Sequence, residues 1–360
     1  MKTNRVAIIG LGRMGSTIDD EHPALSPYSI AAATRANDRL ELVAGSDLIP
    51  DRREAFGARW GIDSLYQDYM EMIEQERPDL VAVCTKATSL PKPHDRAPSS
   101  DFREDAHAEI GARVASAGVP MLYLEKAISN TIRGADSLLE ACRRSGTVFN
   151  SGVLRRFCSW ADVTRAAIEQ GRIGEPQVVA HFGGGSLMHS HVHSIDTISY
   201  LLGDPDIAAV RGELRPRETR IAGNRIDEDP RAMFNLVFAN GVEAYSVPGG
   251  TAETEVIGTE GSIRTLNTLD PAEAGVQVRV SRGRSVSEWE PVPVLNTGSS
   301  VVACLADLVD SYESGRPTKA NIESSHSVAE ALLAIPESHR QGGAWVELPV
   351  ANRDLYVFHV

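Results

Sequence analysis

The chain has 360 residues, enough for two domains of ordinary size, and its 42% hydrophobic and 24% charged shares are those of a globular protein. A net charge of −13 argues against a nucleic-acid partner, because phosphate binding needs a basic face. No apolar run approaches the roughly 18 residues of a membrane span, no signal-peptide pattern precedes the first strand, and Cys84, Cys142, Cys158 and Cys304 are scattered; a cytoplasmic protein with reduced thiols is expected.

In chain order, Val6-Ala7-Ile8-Ile9 reads as a strand that runs into Gly10-Leu11-Gly12-Arg13-Met14-Gly15, with Ser16-Thr17-Ile18 placed to open a helix. Gly-x-Gly-x-x-Gly between a strand and a helix is the form of a dinucleotide site. Gly10 permits the turn, Gly12 lets backbone approach a pyrophosphate, and Gly15 lets helix and strand pack, while the helix N–H groups attract the anion. Asp19 to Pro27 reads as a loop, followed by a helix over 28–36 and a strand over Leu40–Gly45. Asp47 just past that strand suits the adenosine ribose hydroxyls and repels a 2′-phosphate. It follows Gly10 by 37 residues (10 to 47), against about 20 in the usual unit, and the loop accounts for the excess. Arg52 and Arg53 suit either a 2′-phosphate or a solvated helix face, so NAD is expected and NADP stays open.

Helices are expected at Pro50–Gly61, around Tyr69–Ile73 and from Asp105 to Gly118, and strands at Pro78–Cys84 and Val119–Leu124. The continuous apolar run over 80–84 is that of a strand buried on both faces, and the alternation implies a doubly wound parallel sheet. Lys86 to Glu104, rich in Pro and Ser, leaves a strand's carboxyl end; a lid, a subunit contact and a tolerated surface insertion are all open. From Gln177 onward the pattern alternates. Ala232–Phe238, an Asn240-Gly241 turn, and runs at Val242–Val247, Thr254–Ile257, Ser262–Leu266 and Val276–Val280 suggest one large, mostly antiparallel sheet. Helical patterns at Val301–Tyr312 and Ser324–Ile335 are expected to cover it, leaving a face for a homodimer or homotetramer. The charged stretch Arg211–Pro230 reads as a loop or extra pocket wall.

Glu125-Lys126-Ala127, directly after a strand, brings the chain into resemblance with the glucose–fructose oxidoreductase / inositol dehydrogenase / MocA family, which commonly has Glu-Lys-Pro there. Val153-Leu154-Arg155-Arg156-Phe157 and Gly171-Arg172-Ile173-Gly174-Glu175-Pro176 resemble its domain crossover. Gly184-Gly185-Ser186-Leu187, His193-Ser194-Ile195-Asp196 and Leu201-Leu202-Gly203 resemble its active-site strand and helix, and Gly258-Thr259-Glu260-Gly261-Ser262 and Gly315-Arg316-Pro317 its later landmarks. No single motif is diagnostic; it is their common order that carries the resemblance. The resemblance implies an NAD(P)-binding Rossmann domain over 1–152 and a C-terminal α/β domain over 153–360 for substrate binding and oligomerisation. It further implies hydride transfer between a nicotinamide and a sugar or cyclitol, a small polyhydroxylated substrate bound between the domains.

Carried over by position, Lys126 and His193 are the expected catalytic residues, with His189, Asp196 and Arg156 on the substrate. Gly10, Gly12, Arg13, Met14, Gly15, Asp47, Thr85, Glu125 and Lys126 form the expected cofactor-binding set. Hydride transfer from a secondary alcohol needs a group to take the hydroxyl proton and return it in reverse, which an imidazole of ordinary pKa about 6.5 can do near neutral pH. A lysine beside the nicotinamide could have its pKa lowered or could polarise the oxygen. The family commonly has Asp where this chain has His189, which leaves open a redox-neutral reaction with transient oxidation; a non-catalytic dinucleotide sensor is the third reading. His189, His191 and His193 alternate, so a metal cluster is geometrically open in an extended segment, but no outlying Cys or acid pairs with them and no metal is expected. Asp196 could contact substrate or orient His193, and Tyr123 and Arg156 could line the pocket or serve packing and ion pairing.

Overall fold

The computed structural model describes residues 3–86, 105–266, 268–270, 275–282, 285–295 and 298–359. It divides into two compact units: Met1–Leu154 with Gly298–His326 and His359–Val360, and Arg155–Thr297 with Ser327–Phe358. The units are discontinuous in sequence, which a single cut at 152/153 does not express.

The first unit is built on six strands: β1 (Asn4–Ile9), β2 (Leu40–Ser46), β3 (Leu65–Tyr66), β4 (Leu80–Val83), β5 (Met121–Leu124) and β6 (Val148–Ser151). All pair in parallel, in the order β3-β2-β1-β4-β5-β6. That order reverses between β1 and β4, and ligands of such sheets bind beyond the strand carboxyl ends at this reversal. Val6, Ala7 and Ile8 of β1 and every residue of β4 are fully buried, as strands covered on both faces must be. The covering helices are α1 (Ile30–Arg35), α2 (Pro50–Trp60), α3 (Tyr69–Glu76), α4 (Ala106–Ser116) and α5 (Ile132–Ser145). Ser29, Asp68, Asp105 and Thr131 cap α1, α3, α4 and α5 by accepting main-chain N–H bonds. The Lys86–Glu104 insertion lies almost wholly outside the described residues.

One expectation fails behind the glycine loop. Arg13–Thr17 is a single π-type turn and Ile18–Asp20 a 3-10 turn, not the start of a regular helix. Asp19 ends it: its carboxylate accepts the Tyr28 and Ser29 N–H groups at 2.7 and 3.0 Å, folding the segment back before α1 can form.

In the second unit, α6 (Ser159–Glu169) precedes β7 (Pro176–Phe182), β8 (Gly185–Ser186) and α7 (His191–Leu201). There follow β9 (Ile207–Arg215), β10 (Arg225–Ile226), β11 (Arg231–Phe238), β12 (Glu243–Val247), β13 (Glu253–Gly258), β14 (Gly261–Leu266), β15 (Val276–Arg282), β16 (Ser285–Val286) and β17 (Glu290–Val292). These join one sheet, β16-β15-β14-β13-β7-β12-β11-β9-β18, where β18 is Val346–Glu347; β8 and β17 pair with β11 and β15. Every pairing in it is antiparallel except β7 with β12. β10 lies outside it and pairs with β19 (Tyr356–Val357). Arg211–Arg215 belongs to β9, so the charged stretch expected to be a loop begins as sheet.

The last two helices divide their work. α8 (Ser300–Ser314) packs on α1, β5 and β6 of the first unit, not on the antiparallel sheet as its sequence position suggested. Asn150 of β6 holds it there, donating to the Cys304 carbonyl at 3.1 Å and to Asp307 at 3.0 Å. In α9 (Ile322–Arg340), Ser338 accepts the Gly212 N–H of β9 at 2.9 Å, so this helix does cover the second sheet. No helix among the described residues is long and apolar enough to cross a membrane.

Candidate active site

The sheet reversal in the first unit brings together the exits of β1, β4 and β5. Gly10 takes φ +90°, and a Cβ there would lie 2.7 Å from main-chain atoms of Cys84 and Thr85, so only glycine lets β1 leave so close to β4. A Cβ on Gly15 would stand 2.1 Å from the Gly10 carbonyl oxygen. Gly12 is different: its Cβ would meet only the Arg52 guanidinium, at 3.9 Å. The space above Gly12 is therefore open, as a site that admits a pyrophosphate to the backbone requires. Thr85 Oγ1 is buried with no hydrogen-bond partner among the described residues, a second feature that a dinucleotide would satisfy. The residues fit that cofactor.

Asp47, 8% exposed, has a double task. One carboxylate oxygen accepts the Leu11 N–H and the other the Ile49 N–H, both at 2.9 Å, which fixes the glycine loop and leaves each oxygen a further lone pair for ribose hydroxyls. Arg52 stands 3.7 Å from Asp47, and Arg53 donates to the Asp47 carbonyl at 2.6 Å. Arg13 is exposed and paired with Glu21; Met14 beside it is half-buried.

At the β5 exit, Glu125 is buried. Its carboxylate accepts the Tyr123 hydroxyl at 2.5 Å and the Lys126 N–H at 3.2 Å. Tyr123 is fully buried, so of the two roles left open for it the structure shows packing and support of Glu125. Burial pushes the Tyr123 hydroxyl well above its usual pKa, so it stays protonated and donating. Lys126 is half-buried, and its peptide bond to Ala127, which stands where the family pattern has proline, is cis.

In the second unit, β8 turns sharply into α7. A Cβ on Gly185 would come within 2.3 Å of Ser190 Cβ, which is why glycine stands there. His189 precedes α7 and is exposed; His193 is half-buried in its first turn. His191 faces the core, with Nε2 2.9 Å from the Ala232 carbonyl and its ring edge-on to Phe234. The helix thus turns His191 away from its neighbours, and no group of three or more His, Cys, Asp or Glu able to hold a metal occurs among the described residues. Asp229 was missed in sequence: its carboxylate accepts the Met188 N–H at 2.7 Å and the His189 N–H at 2.9 Å. Only a charged loop surrounds it in the sequence, and its partners are main-chain atoms 40 residues away.

Arg156 and Asp196 meet each other rather than solvent. Arg156, 1% exposed, lies 2.7 Å from Asp196 and 2.7 Å from Asp204, above the Tyr200 ring; Arg165 of α6 joins Asp204 at 3.3 Å. Burial pushes the Asp196 carboxyl up to about 6 against the pull of Arg156. Here the pair expected on the substrate ties α7 to the 154–157 turn, with Arg165 bringing in α6.

The pattern of the Gfo/Idh/MocA oxidoreductase family's NAD-binding Rossmann fold matches residues 4–153, and that of its C-terminal alpha/beta domain residues 178–348. The chain is 25% identical over 288 residues to the myo-inositol 2-dehydrogenase of Thermotoga maritima, covering 74% of this chain and 76% of that one. It is 26% identical over 281 residues to the scyllo-inositol 2-dehydrogenase (NAD(+)) of Bacillus subtilis, covering 72% of each. Its fold is similar to that of an inositol dehydrogenase homolog from Azotobacter vinelandii solved with NADH and myo-inositol, with a TM-score of 0.72 at 18% identity over 96% of this chain and 98% of the other. Matched along most of its length by both domain patterns, the chain belongs to the glucose–fructose oxidoreductase / inositol dehydrogenase / MocA family of oxidoreductases.

Proposed function

We propose that the protein is an NAD-dependent dehydrogenase acting on a secondary alcohol of a polyhydroxylated ring, a sugar or cyclitol. The first unit holds the dinucleotide and the second contributes the substrate side. The observation that carries this reading is the convergence of an open Gly12, an Asp47 carboxylate with lone pairs to spare, an unsatisfied Thr85 hydroxyl and Lys126 at one end of a parallel sheet, in a chain of this family. The names of the two inositol dehydrogenases support the substrate class.

Nicotinamide, when bound, supplies the hydride chemistry. The chain's residues manage the proton and the oxygen. Lys126 Nζ polarises the reacting oxygen, and the His193 imidazole takes the hydroxyl proton in oxidation and returns it in reduction. Glu125 fixes the Lys126 main chain, and Arg156 with Asp196 holds the helix that carries His193. Asp47 favours NAD over NADP. The four free, buried cysteines suit a reducing cytoplasm. Tyr245 and Ile257, exposed on strands that flank β7, suit a homodimer or homotetramer formed through the second sheet.

Replacing Lys126 with Met tests the reading. Turnover in a screen of inositols and aldoses with NAD should fall about 100- to 10,000-fold, the usual weight of an acid–base group, while NADH affinity by fluorescence changes little. Undiminished turnover rejects the role. Exposed His189 at the family's common Asp position favours one second reading, a redox-neutral reaction, which product mass without accumulated NADH would identify.

A further inference from the structure

α4 opens with two side chains that reach off their own helix and grip the loop carrying Lys126. His107 is 2% exposed, and its ring spans two strand exits: Nδ1 lies 2.7 Å from the Ala127 carbonyl oxygen beyond β5, and Nε2 lies 2.8 Å from the Thr85 carbonyl oxygen beyond β4. Both partners only accept. A neutral imidazole donates to one of them and an imidazolium to both, from nitrogens on opposite sides of one rigid ring. Two residues earlier, Asp105 grips the far limb of the same loop, accepting the Ser129 hydroxyl and, at 3.0 Å, the Asn130 N–H. Lys126 comes immediately before the first gripped point, Ala127, and its own N–H is held by Glu125.

We propose that His107 is a positioning residue for Lys126: by tying the Ala127 carbonyl to that of Thr85 it sets the main chain from which the lysine projects, with Asp105 as the second hold. Its functional weight rests on the dehydrogenase reading of Lys126, but its geometry does not. The chain has five lysines, Lys2, Lys86, Lys92, Lys126 and Lys319, so amine labelling can be resolved site by site.

The test compares the full-length protein with His107→Gln, which keeps a donor group on a single nitrogen, and His107→Leu, which keeps bulk but no donor. Each is treated with acetic anhydride, and acetylation rates are read by peptide mass mapping. The Lys126 rate should change about fivefold or more in His107→Leu, well inside the roughly 100-fold effect of a 1 Å misplacement on an aligned group. His107→Gln should fall between it and the parent, and the rate at Lys319 should not move. An unchanged Lys126 rate, an equal change at Lys319, or a Leu variant closer to the parent than the Gln variant overturns the proposal, the last because it is what a packing role predicts. If His107→Leu does not fold, the Lys126-to-Lys319 rate ratio in His107→Gln decides. Labelling needs no substrate, so it judges the grip even if Lys126→Met leaves turnover intact, a result that would sink only the dehydrogenase reading.

Discussion

The two units hold their candidate catalytic residues by different physics. In the first unit the supports run from side chain to main chain: Asp47 on the Leu11 and Ile49 N–H groups of the glycine loop and its neighbour, and, around Lys126, His107 on two carbonyls and Asp105 on the Asn130 N–H. Around His193 the main support is charge on charge, with buried Arg156 between buried Asp196 and half-buried Asp204. Main-chain partners are neutral, and losing one such bond removes a local tie. A buried ion cluster gains little net energy over well-packed apolar groups, yet removing one member strands a charge in a low-dielectric interior. The first arrangement tolerates damage in steps; the second does not.

The largest expected effect follows from that contrast. Arg156→Met leaves Asp196 buried without its cation and should cost about 3–5 kcal/mol, read from the urea midpoint at pH 7. Adding Asp196→Asn should recover part of the loss, because the stranded charge goes with it. A single variant within 1 kcal/mol of the parent, a threshold set by the exposed-pair range, would show that the cluster is not desolvated in solution.

The next effect depends on pH. Burial pushes His181, whose ring lies 2.9 Å from Thr254 Oγ1, down to about 3, and lowers His191 in the same direction. Between the ordinary imidazole value of about 6.5 and the lowered one, the unfolded chain binds a proton that the folded His181 refuses. Stability from this source is complete above that upper value and is lost as pH falls through the window, by an amount on the order of a few kcal/mol. His181→Gln should flatten that acid limb of the urea midpoint; an unchanged slope would place the proton uptake elsewhere.

What could be read in advance follows the same division. The glycine loop, Asp47 and the alternation of apolar strands with helices are constraints on neighbouring residues, so they leave a local mark, and the parallel sheet followed from them. The Asn240-Gly241 turn between β11 and β12 is local in the same sense. The sequence of α8 points to the wrong sheet, because an apolar stripe says that a helix is buried but not against what. His107 and Asp229 left no trace, since each answers to main-chain atoms 20 to 41 residues away, and any sequence supplies main-chain atoms. Arg156 and Asp196 stood out by position, but their closure on each other is a product of packing. The irregular turns after Gly15 depend on Asp19 reaching the start of α1, again a pairing that periodicity does not encode.

Asp229 is the place where the second unit uses the first unit's device, one carboxylate holding two consecutive N–H groups, here of Met188 and His189. Asp229→Asn keeps one acceptor oxygen and loses the other along with the charge, which should cost about 1 kcal/mol, the net worth of one hydrogen bond. That is too little to unfold the protein but enough to loosen the segment that presents His189. If this segment meets substrate, the variant should raise KM several-fold for whichever polyol the screen selects, with kcat and NADH affinity near the parent values, the pattern of lost uniform binding. Equal losses in kcat and kcat/KM would instead put Asp229 among the supports of His193 one turn further on. A drop in NADH affinity would tie it to the dinucleotide and undo the division of labour between the two units.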